Sequence, residues 1–326
     1  MDGFLRYGAI TVAAILLTGC GGGSSGGGSV LDDGSQGVPQ DATGTVSISL
    51  TDVPSEETSE LVLHITHIDL GHEEGHTERI EKARGSESVD LMGLKNGKAA
   101  VLVDRESMPA GRYDWLELGI DLEQSHLGLQ NGAMHGMRMG DSANTRIDLP
   151  LDIGAGNHVE YVLDIDARQS IVHHRGHGMM ADEYDFHPNM RLVEISQTGS
   201  ITGTVHMSMI DVYQEECDST DGGNWAYLYP GNVAEPDDFS ESESDGLSGP
   251  IAMDRVELEP ESGDYHYHFS YLPEGTYRVA FSCAAEWDES GDDDYPVDPD
   301  GRFLFHSFSG PLEVKVGEKT EHHMVP

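Results

Sequence analysis

The chain has 326 residues, with 18 Lys and Arg against 59 Asp and Glu, for a net charge of −41. That balance argues strongly against binding nucleic acid or anionic lipid through a basic face, and suits divalent cations, basic partners or simple solvation in a salty medium. A hydrophobic share of 37% with 12 Tyr, 8 Phe and 3 Trp is adequate for the cores of two ordinary domains.

At the start of the chain, Arg6 precedes an apolar run from Gly8 to Leu17, which closes on Leu17-Thr18-Gly19-Cys20. The run is shorter than the roughly 20 residues of a spanning helix. Its layout is that of a secretory signal peptide over 1–19, although Asp2 offsets the charge of Arg6. Leu17 to Cys20 resembles a bacterial lipobox. The resemblance implies that Cys20 is diacylated on sulfur, becomes the mature N-terminus and anchors the chain to a membrane. The alternative is an ordinary signal peptide with a chance cysteine. Gly21 follows where Asp would favour inner-membrane retention, so by analogy with Gram-negative sorting the outer membrane is expected. Residues 20–43 read as a tether: Gly21 to Ser29 is almost pure Gly and Ser, and Asp32 to Ala42 stays polar. A coil of that length holds the folded part on the order of 25 Å from the lipid.

Strand patterns follow. Val46, Ile48 and Leu50 alternate with Ser47, Ser49 and Thr51. Val159, Tyr161, Leu163 and Ile165 alternate with polar residues, Val162 excepted. Tyr265, Tyr267, Phe269 and Tyr271 alternate with His266, His268 and Ser270. Each is the period-two pattern of a strand with one buried face, punctuated by Gly, Pro, Asn and Asp. The expected class is all-β: two antiparallel β-sandwich domains, Ig- or transthyretin-like, over 44–198 and 199–326. Two internal echoes support two modules. Gly44-Thr45-Val46-Ser47-Ile48-Ser49-Leu50-Thr51-Asp52 returns as Gly203-Thr204-Val205-His206-Met207-Ser208-Met209-Ile210-Asp211. Pro109-Ala110-Gly111-Arg112-Tyr113 returns as Pro273-Glu274-Gly275-Thr276-Tyr277, a turn that leads into a strand. Chance competes with duplication as their origin.

Several segments carry a family resemblance. Ser47-Ile48-Ser49-Leu50-Thr51-Asp52-Val53-Pro54, Val89-Asp90-Leu91-Met92, Met108 to Tyr113, Val162-Leu163-Asp164-Ile165-Asp166 and Pro188-Asn189-Met190-Arg191-Leu192-Val193 occur in that order. Together they resemble an uncharacterised family of bacterial lipoproteins, over about Gly44 to Ser196, whose domain has no known function. The resemblance implies a secreted, lipid-anchored β domain and transfers no catalytic residue. More loosely, Ala226-Tyr227-Leu228-Tyr229-Pro230 and Leu272 to Phe281 resemble transthyretin-like or carboxypeptidase-regulatory-like modules, which implies a spacer or adhesive unit.

Beside Cys20, only Cys217 and Cys283 remain. Thiols of an exported protein usually pair, and a Cys217–Cys283 bridge would close a long loop, contributing about 4 kcal/mol in the chain-entropy model. Cys283 falls on the side of its strand that carries Tyr277, Val279 and Phe281. Two separate buried thiols are the alternative.

Three constellations could carry chemistry. His72-Glu73-Glu74-Gly75-His76 has the H-E-x-x-H spacing of zinc proteases, which requires a helix with both histidines on one face. Gly71 and Gly75 weaken such a helix, the flanks lack an apolar stripe, and Arg79 and Lys82 stand where the extended motif has Gly and His. A polar hairpin loop is the expectation there. Second, His173, His174 and His177, near Met179 and Met180, and the stretch Met134, His135, Met137, Met139 offer donors suited to copper, zinc or nickel, without fixed ligand spacing. Third, Asp237, Asp238, Glu241, Glu243 and Asp245, and a loop holding Asp292, Asp294, Asp298 and Asp300, could supply oxygens to calcium, but EF-hand spacing is absent. Solvated loops account for both sets without a metal. No G-x-S-x-G elbow, P-loop or dinucleotide fingerprint is present.

The expectation is therefore a non-enzymatic, lipid-anchored envelope protein with a binding or structural role. Its partners would be the membrane, through lipidated Cys20, and another envelope protein or a surface polymer, with no nucleic acid and no cofactor. The alternatives are an envelope metal-binding protein (copper or zinc through the His/Met loops, calcium through the acidic loops) and a metalloprotease at His72 and His76.

Overall fold

A computed structural model describes residues 42–53, 58–81, 88–94, 97–141, 143–148, 150–174, 176, 182–212, 223–238, 249–260, 262–285, 288 and 303–326. These fall in one compact unit, Pro39–Pro326. The signal peptide, most of the tether, Cys20, Cys217, His177, Asp292, Asp294, Asp298 and Asp300 lie outside the described residues.

The fold is all-β, as the alternation requires. The first fifteen strands are β1 (Thr43–Val53), β2 (Thr58–His72), β3 (Thr77–Glu81), β4 (Ser88–Asp90), β5 (Ala100–Pro109), β6 (Gly111–Ile120), β7 (His126–Leu129), β8 (Met134–His135), β9 (Arg138–Met139), β10 (Arg146–Ile147), β11 (Leu151–Ile153), β12 (His158–Asp166), β13 (Ile171–His174), β14 (Glu183–Phe186) and β15 (Asn189–Glu194). After them come β16 (Thr198–Val205), β17 (Trp225–Pro230), β18 (Ala252–Arg255), β19 (Glu257–Leu258), β20 (Tyr265–Pro273), β21 (Gly275–Ser282), β22 (Ser307–Phe308), β23 (Leu312–Val314) and β24 (Lys319–Met324). Two short helices, α1 (Ala167–Ser170) and α2 (Met207–Val212), interrupt them.

The ladders among the described residues divide at the β15–β16 junction. Before it, a sheet of order β15-β12-β1-β5 faces a second one built on β10-β6-β2-β7-β8, with β3, β4 and β11 paired to its strands. Val46, Ile48 and Leu50 of β1 pack with Leu61, Leu63 and Ile65 of β2, Leu116 and Leu118 of β6, and Tyr161, Leu163 and Ile165 of β12. Each such buried side chain contributes about 1.5–3 kcal/mol of transfer free energy. A small sheet, β13-β14-β9, completes this module. After the junction, a sheet of order β19-β20-β16-β24 faces β18-β17-β21-β22, with β23 paired to β21. Ala226 and Leu228 of β17 and Val279 and Phe281 of β21 enter the core between these sheets. The other face is buried as well: Trp225, Tyr227, Tyr229 and Ala280 pack under Phe303, Phe305 and Phe308.

One feature departs from the purely antiparallel sheets expected from the sequence. Each module contains a parallel pair, β1 with β12 and β16 with β24, so their sheets are mixed. The two modules also share a pairing frame, in which β1, β2, β5, β6, β11 and β12 correspond to β16, β17, β20, β21, β23 and β24. Thr43 and Gly44 face Pro109 and Met108, as Thr198 and Gly199 face Pro273 and Leu272. Leu151, Asp152 and Ile153 face Tyr113, Arg112 and Gly111, as Leu312, Glu313 and Val314 face Tyr277, Thr276 and Gly275. The Gly156 amide donates to the Thr43 carbonyl and the Gly317 amide to that of Thr198, both at 2.8 Å. Both glycines sit at positive φ, 72° and 71°. Tyr113 and Tyr277 donate to the carbonyls of Pro109 and Pro273, both at 2.9 Å.

This pairing corrects the first of the two sequence echoes. Gly44 corresponds to Gly199, not Gly203, and Met209 and Ile210 lie on α2 rather than on a strand. It also exposes an echo the sequence reading missed, Pro150-Leu151-Asp152-Ile153 with Gly156 against Pro311-Leu312-Glu313-Val314 with Gly317.

Two departures from simple alternation have local causes. Tyr271 has φ 55° beside a register shift in the β16–β20 ladder, so Leu272 takes the buried place and Tyr271 turns away from this core toward the first module. Val162 is fully buried on the face of β12 that also carries Asp164. Arg191 pairs with Asp164 at 2.6 Å and donates to the Tyr271 carbonyl at 3.4 Å, so this face meets the second module.

Candidate functional site

The H-E-x-x-H segment is a hairpin tip. β2 ends at His72, β3 begins at Thr77, and Glu73 to His76 form the turn between them. The Gly75 amide donates to the His72 carbonyl at 2.9 Å, and the Glu73 amide to the Arg112 carbonyl at 2.8 Å, which pins the tip to β6. A zinc-protease helix is thus absent from this segment, in line with the hairpin expected from Gly71 and Gly75. The histidines nevertheless meet, because Gly71 pairs with Thr77 and the next residues outward are His72 and His76. Their rings stack with centroids 4.3 Å apart. His72 is buried, with its edge against the Tyr113 ring at 4.9 Å; His76 and Glu74 are exposed.

The structure brings His173 and His174 close to the Met134–Met139 stretch around the small sheet. β9 pairs with β14, β14 with β13, and β8 lies close by, since the His135 ring contacts Tyr184 of β14 at 4.7 Å. His173 stacks on Tyr184 at 4.6 Å and lies 3.3 Å from Asp182. His174, the next residue along β13, reaches the other way, to Asp185 at 3.1 Å. Adjacent strand residues point to opposite faces, so the two imidazoles do not converge. Arg138 holds both Asp185 and Glu183. Its hydrogen bond to Asp185 is the main reason that carboxyl lies below the usual range. The Gly176 amide does the same for Asp182, with help from His173 and His135. Tyr184, Asp182 and Asp185 escaped the sequence reading because Glu-Tyr-Asp-Phe has no motif; only its alternation of buried Tyr184 and Phe186 signals a strand.

A third cluster sits where the modules meet. Arg168 of α1 donates to the Asp288 carbonyl oxygen at 2.7 Å, approaches its carboxylate at 3.3 Å and reaches Met253 Sδ at 3.3 Å. Tyr227 donates to the same carboxylate at 2.8 Å. Asp237 and Asp238 are buried nearby, and burial, then Asp288, Asp237 and Asp238, push the Tyr229 hydroxyl well above its ordinary pKa. The acidic pair Asp237-Asp238 is therefore interior, not a solvated loop. Cys283 is buried beside Val279 and Phe281, on the side its strand position implied.

The family comparison covers the first module. Residues 43–188 match the family model described as a domain of unknown function, DUF4382. The match stops before β15, short of the Ser196 expected from the sequence. No curated protein matches the chain. Among solved structures, the chain is similar to the TIE protein of Bacillus anthracis at 10% identity, over 87% of this chain and 34% of that one, with a TM-score of 0.19. It thus spans about a third of that protein's length. A minor pilin of Streptococcus agalactiae, GBS52, matches at 10% identity over 86% and 96% of the two chains, with a TM-score of 0.18. Putative polysaccharide-binding proteins from Bacteroides thetaiotaomicron match at 9% over 86% and 89%, again with a TM-score of 0.18. At such TM-scores none of these likenesses bears on function.

Proposed function

We propose that the protein is a lipid-anchored component of the cell envelope, with a non-enzymatic binding or structural role. The observation that carries this reading is Leu17-Thr18-Gly19-Cys20 at the end of an apolar run, followed by a Gly/Ser tether that leads to the first strand at Thr43. Diacylation of Cys20 would fix the amino end in the outer membrane, and the tether would let the body reach a partner protein or surface polymer. Supporting the structural role, the body beyond the tether is one compact unit whose modules share the Arg168–Asp288 contact and a bond from Tyr271 Oη to the Gly97 carbonyl at 3.1 Å. A bridge from Cys283 to Cys217 would add a covalent brace, and belongs to the same proposal.

Mass spectrometry of the protein from envelopes tests the anchor. The expected amino-terminal peptide begins at Cys20 and carries a diacylglyceryl mass, and Cys20→Ser releases the protein from the membrane fraction. An unmodified terminus, or a Cys20→Ser variant that fractionates like the parent, would refute the reading. Cross-linking pull-downs from intact envelopes, comparing the two forms, would then identify what the body touches.

A further inference from the structure

We propose that the tip of the β2–β3 hairpin binds one late first-row divalent cation, such as Zn2+, Cu2+ or Ni2+, through His72, His76 and Glu74. This inference stands apart from the lipid anchor. One ligand atom from each of the three residues lies within 4.8 Å of the others. A tetrahedral site with bonds of 2.0–2.1 Å needs donors about 3.3 Å apart. The contraction falls on Glu74 and His76, whose side chains are exposed, while His72 is the fixed member, 7% exposed. His76 would swing out of its stack on His72, because near-parallel rings cannot aim their in-plane lone pairs at one ion. Two imidazoles and one carboxylate form a donor set for these metals rather than for calcium or magnesium, which take oxygen.

Local bonding prepares each ring. The Glu74 amide donates to His72 Nδ1 at 3.2 Å, so that nitrogen carries the lone pair and faces the turn. The cation would replace this long hydrogen bond. The opposite nitrogen, Nε2, is buried against Gly111 with no hydrogen-bond partner, and a Cβ at Gly111 would overlap it. Glu78 lies 3.5 Å from His76 Nε2. A carboxylate on one imidazole nitrogen orients the ring and leaves the other for a metal. The frame itself does not call for histidine here. His72 faces Tyr113, and at the matching place in the second module Pro230 faces Tyr277. The amide of the next residue donates to β6 or β21 in the same way, Glu73 to Arg112 and Gly231 to Thr276, both at 2.8 Å. The imidazole pair is an addition to a turn that folds without one.

The chain holds 17 histidines, so the readout must be specific to this site. Histidine ring resonances of the full chain, in detergent, would be followed during titration with Zn2+ and, separately, Cu2+. His72 and His76 should respond together within the first equivalent, by shift with Zn2+ and by broadening with Cu2+. His76→Ala should weaken the response at His72 about ten-fold or more, and Glu74→Gln by several-fold. Unchanged Tyr113 ring resonances would show that the hairpin stays folded in both variants. The proposal is overturned if other histidines saturate first, or if His72 responds equally in the parent and in His76→Ala.

Discussion

The two modules share a frame and differ in what they hang on it. Both use a strand, a Pro-x-Gly-x-Tyr turn and a parallel return strand, with matching backbone bonds at Gly156 and Gly317. What they share is set by backbone geometry: close approach at a glycine, positive φ at another, a tyrosine hydroxyl tied to a proline carbonyl. What differs lies outside these contacts. The first module extends its second sheet through the fifteen-residue β2 and carries the histidine-bearing hairpin and small sheet. The second instead buries an aromatic layer on the outer face of β17 and β21. Such a division separates a shared pairing frame from the side-chain chemistry that each module carries.

The harshest test of this equivalence replaces the paired glycines. A Cβ at Gly44 would run into the Gly154 carbonyl, and one at Gly199 into that of Lys315. Gly44→Val and Gly199→Val should each cost about 3 kcal/mol or more, the upper end for overpacking against backbone. Thermal unfolding would show both falling by similar amounts; a tolerated Gly199→Val would break the correspondence. Comparable in size is Arg168→Ala at the junction. Removing one partner of a buried ion pair costs about 3–5 kcal/mol. Calorimetry should show one transition becoming two as the modules uncouple, and a single unshifted transition would show that Arg168 does not join them.

The strands were legible because Val46, Ile48 and Leu50, or Tyr267 and Phe269, alternate cleanly with polar residues. The second turn echo was legible because Pro109, Gly111 and Tyr113 each answer a separate backbone demand. The true partner of Gly44 was not, because Gly199 lies in Thr-Gly-Ser-Ile while a better verbal match, Gly-Thr-Val, stands four residues on. Only hydrogen-bond register separates the two. At the candidate site, sequence spacing led first to the helical reading of His72 and His76, and glycines turned it to a hairpin. The ring stacking needs cross-strand register that no spacing rule carries. Likewise the Arg168–Asp288 contact joins residues far apart in the chain, with no local signal at either end.

A milder change probes the tyrosines. Tyr113→Phe and Tyr277→Phe each delete a hydroxyl from a bond to a proline carbonyl while keeping the ring packed. Each should cost about 1–2 kcal/mol, a buried hydrogen bond with its acceptor left behind. Near-equal losses in denaturant midpoints at constant slope would support one shared device. A loss at Tyr113 alone would mean that the second turn is held by other contacts.

The smallest expected difference is in response to acid. In the second module, burial lowers the pKa of His268 and His322 from 6.5, with Lys319 and His323 adding to the effect. The unfolded chain then takes up protons first as pH falls through about 6.5, so stability present at neutral pH is lost below it. In the first module, burial pushes the Asp166 carboxyl up to about 6. There the folded form holds the proton first, so acidification through about 6 adds stability, with the opposite sign. Asp69 and Asp185 of this module, held low by Arg79 and Arg138, lose their contribution only below the ordinary aspartate value of 3.8. Between pH 7 and pH 5 the second module should therefore weaken relative to the first. Amide exchange, corrected for intrinsic rates, should quicken in β16, β20 and β24 while β1 and β12 keep their protection. The reverse order would mean that other groups control the acid response.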